Sequence, residues 1–195
     1  MSASTNEWVP VEPAHSKQKE KKIIDIQTES LVVLMEALEA LSDECGIFGF
    51  SGSGKSQVDF YRIKEFSDTY SEELKKRIGG ICPKQGTRMG PAIRHAIGKL
   101  RSIESDKRIL LLLSDGYPQD YDYGEDRRSI AYGLHDTMMA LLEAKKEGIR
   151  PFCITVDQSG NDYLRQMCDS SNYLVIKDSY ALPEILPKVV ESLIA

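Results

Sequence analysis

Two groups of residues have the types and spacing for chemistry with phosphate or a cation. The first is contiguous. Gly49-Phe50-Ser51-Gly52-Ser53-Gly54-Lys55-Ser56 fits the spacing of a phosphate-binding loop, in which backbone N–H groups and a lysine cradle phosphates. Arg108 to Asp115 would then be the apolar strand ending in a magnesium-binding aspartate. Such a loop works when a helix begins at the Lys-Ser pair, because the helix N-terminus holds the anion. Here Gln57-Val58-Asp59-Phe60-Tyr61-Arg62-Ile63 follows, which is strand-like and has no helical stripe. Glycine, serine and lysine are also the residues a hairpin turn at a sheet edge takes. The turn is the leading reading, and a P-loop nucleotide-binding protein or ATPase using Gly49–Ser56 and Asp115 is the alternative.

The second group is dispersed. Asp115 follows an apolar run in Ser114-Asp115-Gly116, which puts its carboxylate at the carboxyl edge of a sheet, where open α/β sheets bind ligands. Thr87, in Gly86-Thr87-Arg88-Met89-Gly90, precedes a helix and should present its hydroxyl at the same edge. Ser2 and Ser4 lie upstream of the first helix. One carboxylate and three hydroxyls form an oxygen-only set suited to a hard cation such as Mg²⁺ that keeps some of its waters. Each residue also has a plainer role: Asp-Gly as a turn, Thr87 as a helix cap, the serines as part of an unstructured end. Arg88 and Arg94 either meet a partner's acid or lie on a helix surface. His95 and His135 fall within helices without companion ligands, so surface or core-edge packing is the better role for both, and His15 sits in a loop.

The elements that must position these groups follow from periodicity. Residues 6–22 are polar, hold two prolines and read as a surface loop. From Ile24 to about Ser42, Leu31, Leu34, Leu38 and Leu41 mark an amphipathic helix. Cys45–Phe50 and Val58–Ile63 form a hairpin closed at Ser51–Ser56, and Glu72–Ile78 is a short helix stopped by Gly79 and Gly80. A helix from Pro91 buries Ile93, Ile97 and Leu100, with Ile103 as a further candidate. Arg108–Ser114 carries five consecutive branched aliphatics and predicts a parallel strand buried on both faces. A helix over about 127–147, with Ile130, Leu134, Met138 and Leu141 inward, ends at Gly148. The strand Pro151–Val156, the short helix Asp162–Asp169, the strand Tyr173–Ile176 and the helix Leu182–Ile194 complete the chain. This alternation predicts one α/β domain, a doubly wound, mostly parallel sheet with helices on both faces.

Composition narrows the function. With 195 residues, 41% hydrophobic and 28% charged, the chain has the profile of one globular domain. A net charge of −5 argues against a general nucleic-acid surface. Cys45, Cys82, Cys153 and Cys168 show no zinc-ligand spacing, which fits a reducing, cytoplasmic compartment. Apolar runs fall far short of the roughly 20 residues of a membrane span, and no signal-peptide pattern opens the chain.

Met1-Ser2-Ala3-Ser4-Thr5, Gly86-Thr87 and Ser114-Asp115-Gly116 resemble the metal-ion-dependent adhesion site (MIDAS) of von Willebrand factor A (vWA) domains. That family carries Asp-x-Ser-x-Ser after its first strand, a threonine from a later loop and an aspartate after its fourth strand. Residues 23–195 would then be the vWA domain, and residues 1–22 a metal-site loop fragment and surface loop. Met1 occupies the first x, so the resemblance puts the family's aspartate and first, central strand before residue 1 and implies a fragment. More narrowly, Thr87–Ala96, Asp115–Asp122 and Pro151–Asp157 are similar to the C-terminal domain of nitric-oxide reductase activation proteins of the NorD type. That resemblance implies an adaptor, not an enzyme, which works with a MoxR-type AAA+ ATPase to activate a client metalloenzyme; relatives serve other clients, including Rubisco. Ser2, Ser4 and Thr87 would be direct or near-direct ligands of Mg²⁺ or another divalent cation, and Asp115 would act mainly through water. A client carboxylate would complete the shell. The acidic, tyrosine-rich run 117–126 would be part of the docking rim or a solvated loop.

Overall fold

The computed structural model describes residues 21–41, 43–124 and 130–195. Ser2, Ser4 and His15 lie outside the described residues, as does most of the polar loop at 6–22. Helix α1 runs Ile23–Leu41 and is followed by strands β1 (Ile47–Gly52) and β2 (Val58–Lys64), which pair antiparallel as a hairpin. Helices α2 (Glu72–Gly79) and α3 (Met89–Arg101) lead to strand β3 (Arg108–Ser114). Then come α4 (Ala131–Lys146), β4 (Ile149–Thr155), α5 (Gly160–Met167), β5 (Tyr173–Val175) and α6 (Leu182–Ile194). Strands β3, β4 and β5 form a parallel sheet in that order.

Two helical layers sandwich the strands, as the side-chain alternation of β3 requires. Leu110 and Leu112 pack with Met89, Ile93 and Ile97 of α3, Leu134 and Leu141 of α4 and Tyr163 of α5. Leu111 and Leu113 face the other way, onto Leu34 and Leu38 of α1 and Leu186 and Val190 of α6. Helix α1 also turns Met35 toward the hairpin, where Ile47 and Ile63 meet Leu74 and Ile78 of α2. Leu74 and Ile78 are fully buried, each side chain stabilising by about 1.5–3 kcal/mol, and the Ser71 hydroxyl caps their helix by accepting from the Leu74 N–H at 3.3 Å.

The expectation that β3 is buried on both faces is only partly met. Leu112 is buried, but Ile109, Leu110, Leu111 and Leu113 are half-buried. The reason is an open edge: β3 pairs with β4 on one side, β1 pairs with β2, and the two sheets form no ladder with each other. The interval between β1 and β3 is covered by α1 on one face and α3 on the other, with Phe50 of β1 sharing the α3 cluster. No described strand fills it.

Candidate functional site

Three chain segments meet at the carboxyl ends of β1 and β3. The end of β1 is tied to the loop before α3 by Gly52 N–H to Gly86 O (2.7 Å) and Gly86 N–H to Gly52 O (2.8 Å). The next residue, Thr87, is tied to the loop after β3 by Thr87 N–H to Gln119 O (2.6 Å) and Gln119 N–H to Thr87 O (3.1 Å). These paired bonds fix where the Thr87 side chain leaves the backbone. Gly52, Gly86, Thr87, Gly116 and Gln119 line an open pocket of about 610 Å³. Asp115, exposed at the tip of β3, adjoins the pocket through Gly116. The Ser114 hydroxyl, bonded to the Gly116 carbonyl at 2.8 Å, holds that corner.

Thr87 and Asp115 are therefore brought to one edge, as expected. Among the described residues, no hydrogen bond or ion pair occupies the Thr87 hydroxyl or the Asp115 carboxylate. An open hydroxyl in the pocket and an open carboxylate one residue from its lining are the donor types a hard, oxygen-liganded cation takes. Asp120, which also lines the pocket, is committed to Arg88, and no described cluster of three or more His, Cys, Asp or Glu side chains has metal-binding geometry.

The remainder of the site is organised by a buried ion cluster that sequence reasoning missed. Arg88, only 6% exposed, donates from Nε to Asp120 Oδ2 at 2.7 Å and from Nη2 to Asp122 Oδ1. The Arg88 guanidinium also lies over the Tyr123 ring, 4.4 Å from its centroid. Asp120 accepts further bonds from the amides of Gly54 (3.1 Å) and Tyr121 (2.6 Å), and Asp122 accepts from the Lys55 amide at 3.0 Å. Burial alone would raise the Asp120 carboxyl, but the Arg88 hydrogen bond, the two amides and the Arg88 charge outweigh it and hold the group below the usual carboxylate range. The cluster demands small neighbours: a Cβ on Gly52 would stand 2.4 Å from Asp120 Oδ2, and one on Gly86 2.6 Å from Asp120 Oδ1.

This cluster decides the phosphate-loop alternative. Residues 49–56 form the end of β1 and a hairpin turn, with β2 following where a helix is needed. The amides of Gly54 and Lys55, which would hold phosphates, are already occupied by two carboxylates. An incoming phosphate would have to displace both and lie against their charge. We expect neither the chain nor its Lys55→Ala variant to bind a fluorescent ATP analogue, and the substitution to change the unfolding free energy by less than about 0.5 kcal/mol. Saturable binding lost in the variant would restore the alternative.

Of the two arginines expected at a partner surface or helix face, Arg88 is buried, whereas Arg94, with its side chain 36% exposed, stays on the face of α3. Arg94 bridges Asp136 (2.7 Å) and Glu143 (2.8 Å) of α4, and these hydrogen bonds, Glu143 foremost, raise its pKa further. Tyr123 donates to Asp136 at 2.5 Å and accepts from the Gly90 amide, so burial and the carboxylate together push its hydroxyl well above its usual range. Asp120, Asp122 and Tyr123 belong to the run expected as a docking rim or a solvated loop; these residues turn inward, while Tyr121 remains exposed. His95 and His135 are exposed, His95 stacking its ring 4.3 Å from that of Phe60. Across the edge, the Tyr163 hydroxyl shares a 2.9 Å hydrogen bond with Thr155; burial first, then the charges of Asp157 and Asp115, push it up to about 12.

Comparison with known proteins gives this architecture a context. The family model described as von Willebrand factor type A domain matches residues 16–188. Protein NorD of Stutzerimonas stutzeri is 38% identical over 159 residues, 82% of this chain and 25% of that protein. Protein NorD of Brucella melitensis is 32% identical over 193 residues, 99% of this chain and 28% of that protein. The chain thus spans about a quarter of the length of these curated relatives. Among solved structures, the vWF domain of a type V pilus tip protein from Porphyromonas gingivalis superimposes with a TM-score of 0.58 at 10% identity, covering 87% of this chain and 88% of that one, a likeness of fold alone.

Proposed function

This chain belongs to the von Willebrand factor type A family, and on that premise we propose that it is a metal-ion-dependent protein-binding adaptor acting in the activation of nitric-oxide reductase. The observation that supports this most is that Thr87 lines an open pocket whose lining also includes Gly116, the residue next to the exposed Asp115, with neither side-chain oxygen committed among the described residues. The similarity, at 32–38% identity, to proteins named NorD supports the choice of process. The site would hold Mg²⁺ or another divalent cation through Thr87, Ser2 and Ser4, with Asp115 acting mainly through water. When bound, the ion supplies an electrophilic centre that a partner's Asp or Glu carboxylate can reach. The chain's own contribution is positional: the paired bonds from Gly86 and Thr87 to Gly52 and Gln119 hold the hydroxyl at the rim, and the Arg88 cluster fixes the loop behind it.

The partner we propose is a MoxR-type AAA+ ATPase, with a client metalloenzyme such as nitric-oxide reductase, in the cytoplasm. No helix among the described residues is long and apolar enough to cross a membrane. Catalysis would belong to the partners, and this chain would bind. Co-purification tests the reading: the tagged chain should retain a purified MoxR-type ATPase in Mg²⁺ and release it in EDTA. Retention unchanged by EDTA, or no retention under either condition, counts against it.

A further inference from the structure

Helix α5 folds back along β4 and brings two cysteines fifteen positions apart into contact. Cys153, in the middle of β4, is 2% exposed; Cys168, the residue that ends α5, is half-buried. Their Sγ atoms are 3.4 Å apart and share a hydrogen bond. Both line a cavity of about 210 Å³, together with Met138, Lys145 and Arg165. A small polar molecule therefore has a route, flanked by Lys145, Arg165 and Asp169, to a thiol pair that sequence spacing does not announce. We propose that Cys153 and Cys168 form a peroxide-responsive dithiol that closes to a disulfide and locks α5 onto β4.

The two sulfurs are placed for different roles. The hydrogen bond shared with Cys153 and the Lys145 charge favour the thiolate at Cys168, although burial and the Asp169 charge oppose it. The shared hydrogen bond and burial keep Cys153 a thiol. Lys145 also pairs with Asp169, the residue after Cys168, which anchors this end of the helix. In the first step the Cys168 thiolate attacks one oxygen of hydrogen peroxide. The O–O bond breaks, the departing hydroxide takes up a proton to leave as water, and Cys168 becomes a sulfenic acid. Cys153 then gives up its proton and attacks the Cys168 sulfur; the S–O bond breaks, a second water leaves and the S–S bond forms. Two thiols are oxidised by two electrons and one peroxide is reduced to two waters. Closing the contact from 3.4 Å to the roughly 2.05 Å of a disulfide asks for side-chain rotation within a contact that already exists.

Cys82, exposed, and Cys45, half-buried beside Lys64, are internal controls, since neither faces another thiol within hydrogen-bond reach. The test treats the native chain with an equivalent of hydrogen peroxide, blocks residual thiols and digests with trypsin without reductant. Arg165 separates the two cysteines, so the expected product is peptide 147–165 joined to peptide 166–177, about 2 Da lighter than the sum of the thiol forms and released by dithiothreitol. Cys168→Ser, with its circular dichroism unchanged, should lose the linked pair. The wild-type chain oxidised in urea should instead give mixed disulfides in which Cys45 and Cys82 also take part, whereas the native chain gives the Cys153–Cys168 link alone. Oxidation of Cys82 or Cys45 before the pair, or Cys168 recovered as sulfinic acid with no link to Cys153, would overturn the proposal.

Discussion

Arg88→Ala should destabilise the fold by about 3–5 kcal/mol, the size expected when one member of a buried ion cluster is removed and its partners stay behind. The Asp120 side chain is 2% exposed and Arg88 is its only cationic neighbour within ion-pair reach among the described residues. Without the guanidinium, two carboxylates would face each other across the hairpin turn, supported by the amides of Gly54, Tyr121 and Lys55 alone. The loss of the Tyr123 stacking contact adds to the cost. Urea unfolding followed by circular dichroism measures the change, and a loss below about 1 kcal/mol would mean that the cluster is not holding the loops. Arg88→Lys should recover part of the stability, because a single ammonium cannot reproduce two forked bonds.

The same cluster sets a pH signature. The folded carboxyl of Asp120 lies below its unfolded value, so its contribution to stability is complete above the ordinary carboxylate pKa of about 3.9 and is lost as pH falls through the depressed folded value. The wild-type chain should therefore lose stability on acidification below about pH 4 more steeply than Arg88→Ala, in which the Arg88 share of that depression is gone and only the amides of Gly54 and Tyr121 remain.

Asp115→Ala should do the reverse: leave the fold intact and remove the binding. The side chain is exposed and takes no hydrogen bond among the described residues, so its loss should change stability by no more than about 0.5 kcal/mol. If Asp115 holds the waters of a bound cation, its removal should weaken Mg²⁺ binding by about 10–100-fold, the usual effect of deleting an outer-shell partner. Thr87→Val, which keeps the shape and removes the hydroxyl, should act in the same direction. Calorimetric titration reads both. Equal affinities in the variants and the wild type would separate these residues from any metal site.

The order of elements was largely legible in the sequence because it rests on local signals. Five aliphatics in a row define β3, the three- and four-residue spacing of Leu31 to Leu41 defines α1, and a strand-like segment after Lys55 argues for a hairpin. Thr87 and Asp115 were also visible, since loop ends in an α/β sheet converge on one edge. The clamp behind them was not. Arg88 precedes its acids by 32 and 34 positions, and an acidic run in a loop has the appearance of solvated charge. Only the folded chain shows that Asp120 turns inward onto glycines too small to exclude it. The exposure of β3 was equally out of reach, because a run of leucines reports the burial it is suited to and not whether its edge finds a partner. The Cys153–Cys168 contact depends on α5 reversing along β4, which no spacing encodes.

The most direct test of the central claim is the affinity of the chain for a purified MoxR-type ATPase, measured as a function of Mg²⁺ for the wild type and for Asp115→Ala. Metal-dependent recognition predicts that wild-type affinity rises with Mg²⁺ to saturation and collapses in EDTA, while Asp115→Ala, equally stable, stays weak throughout. Tight binding that ignores both the metal and the substitution would contradict it.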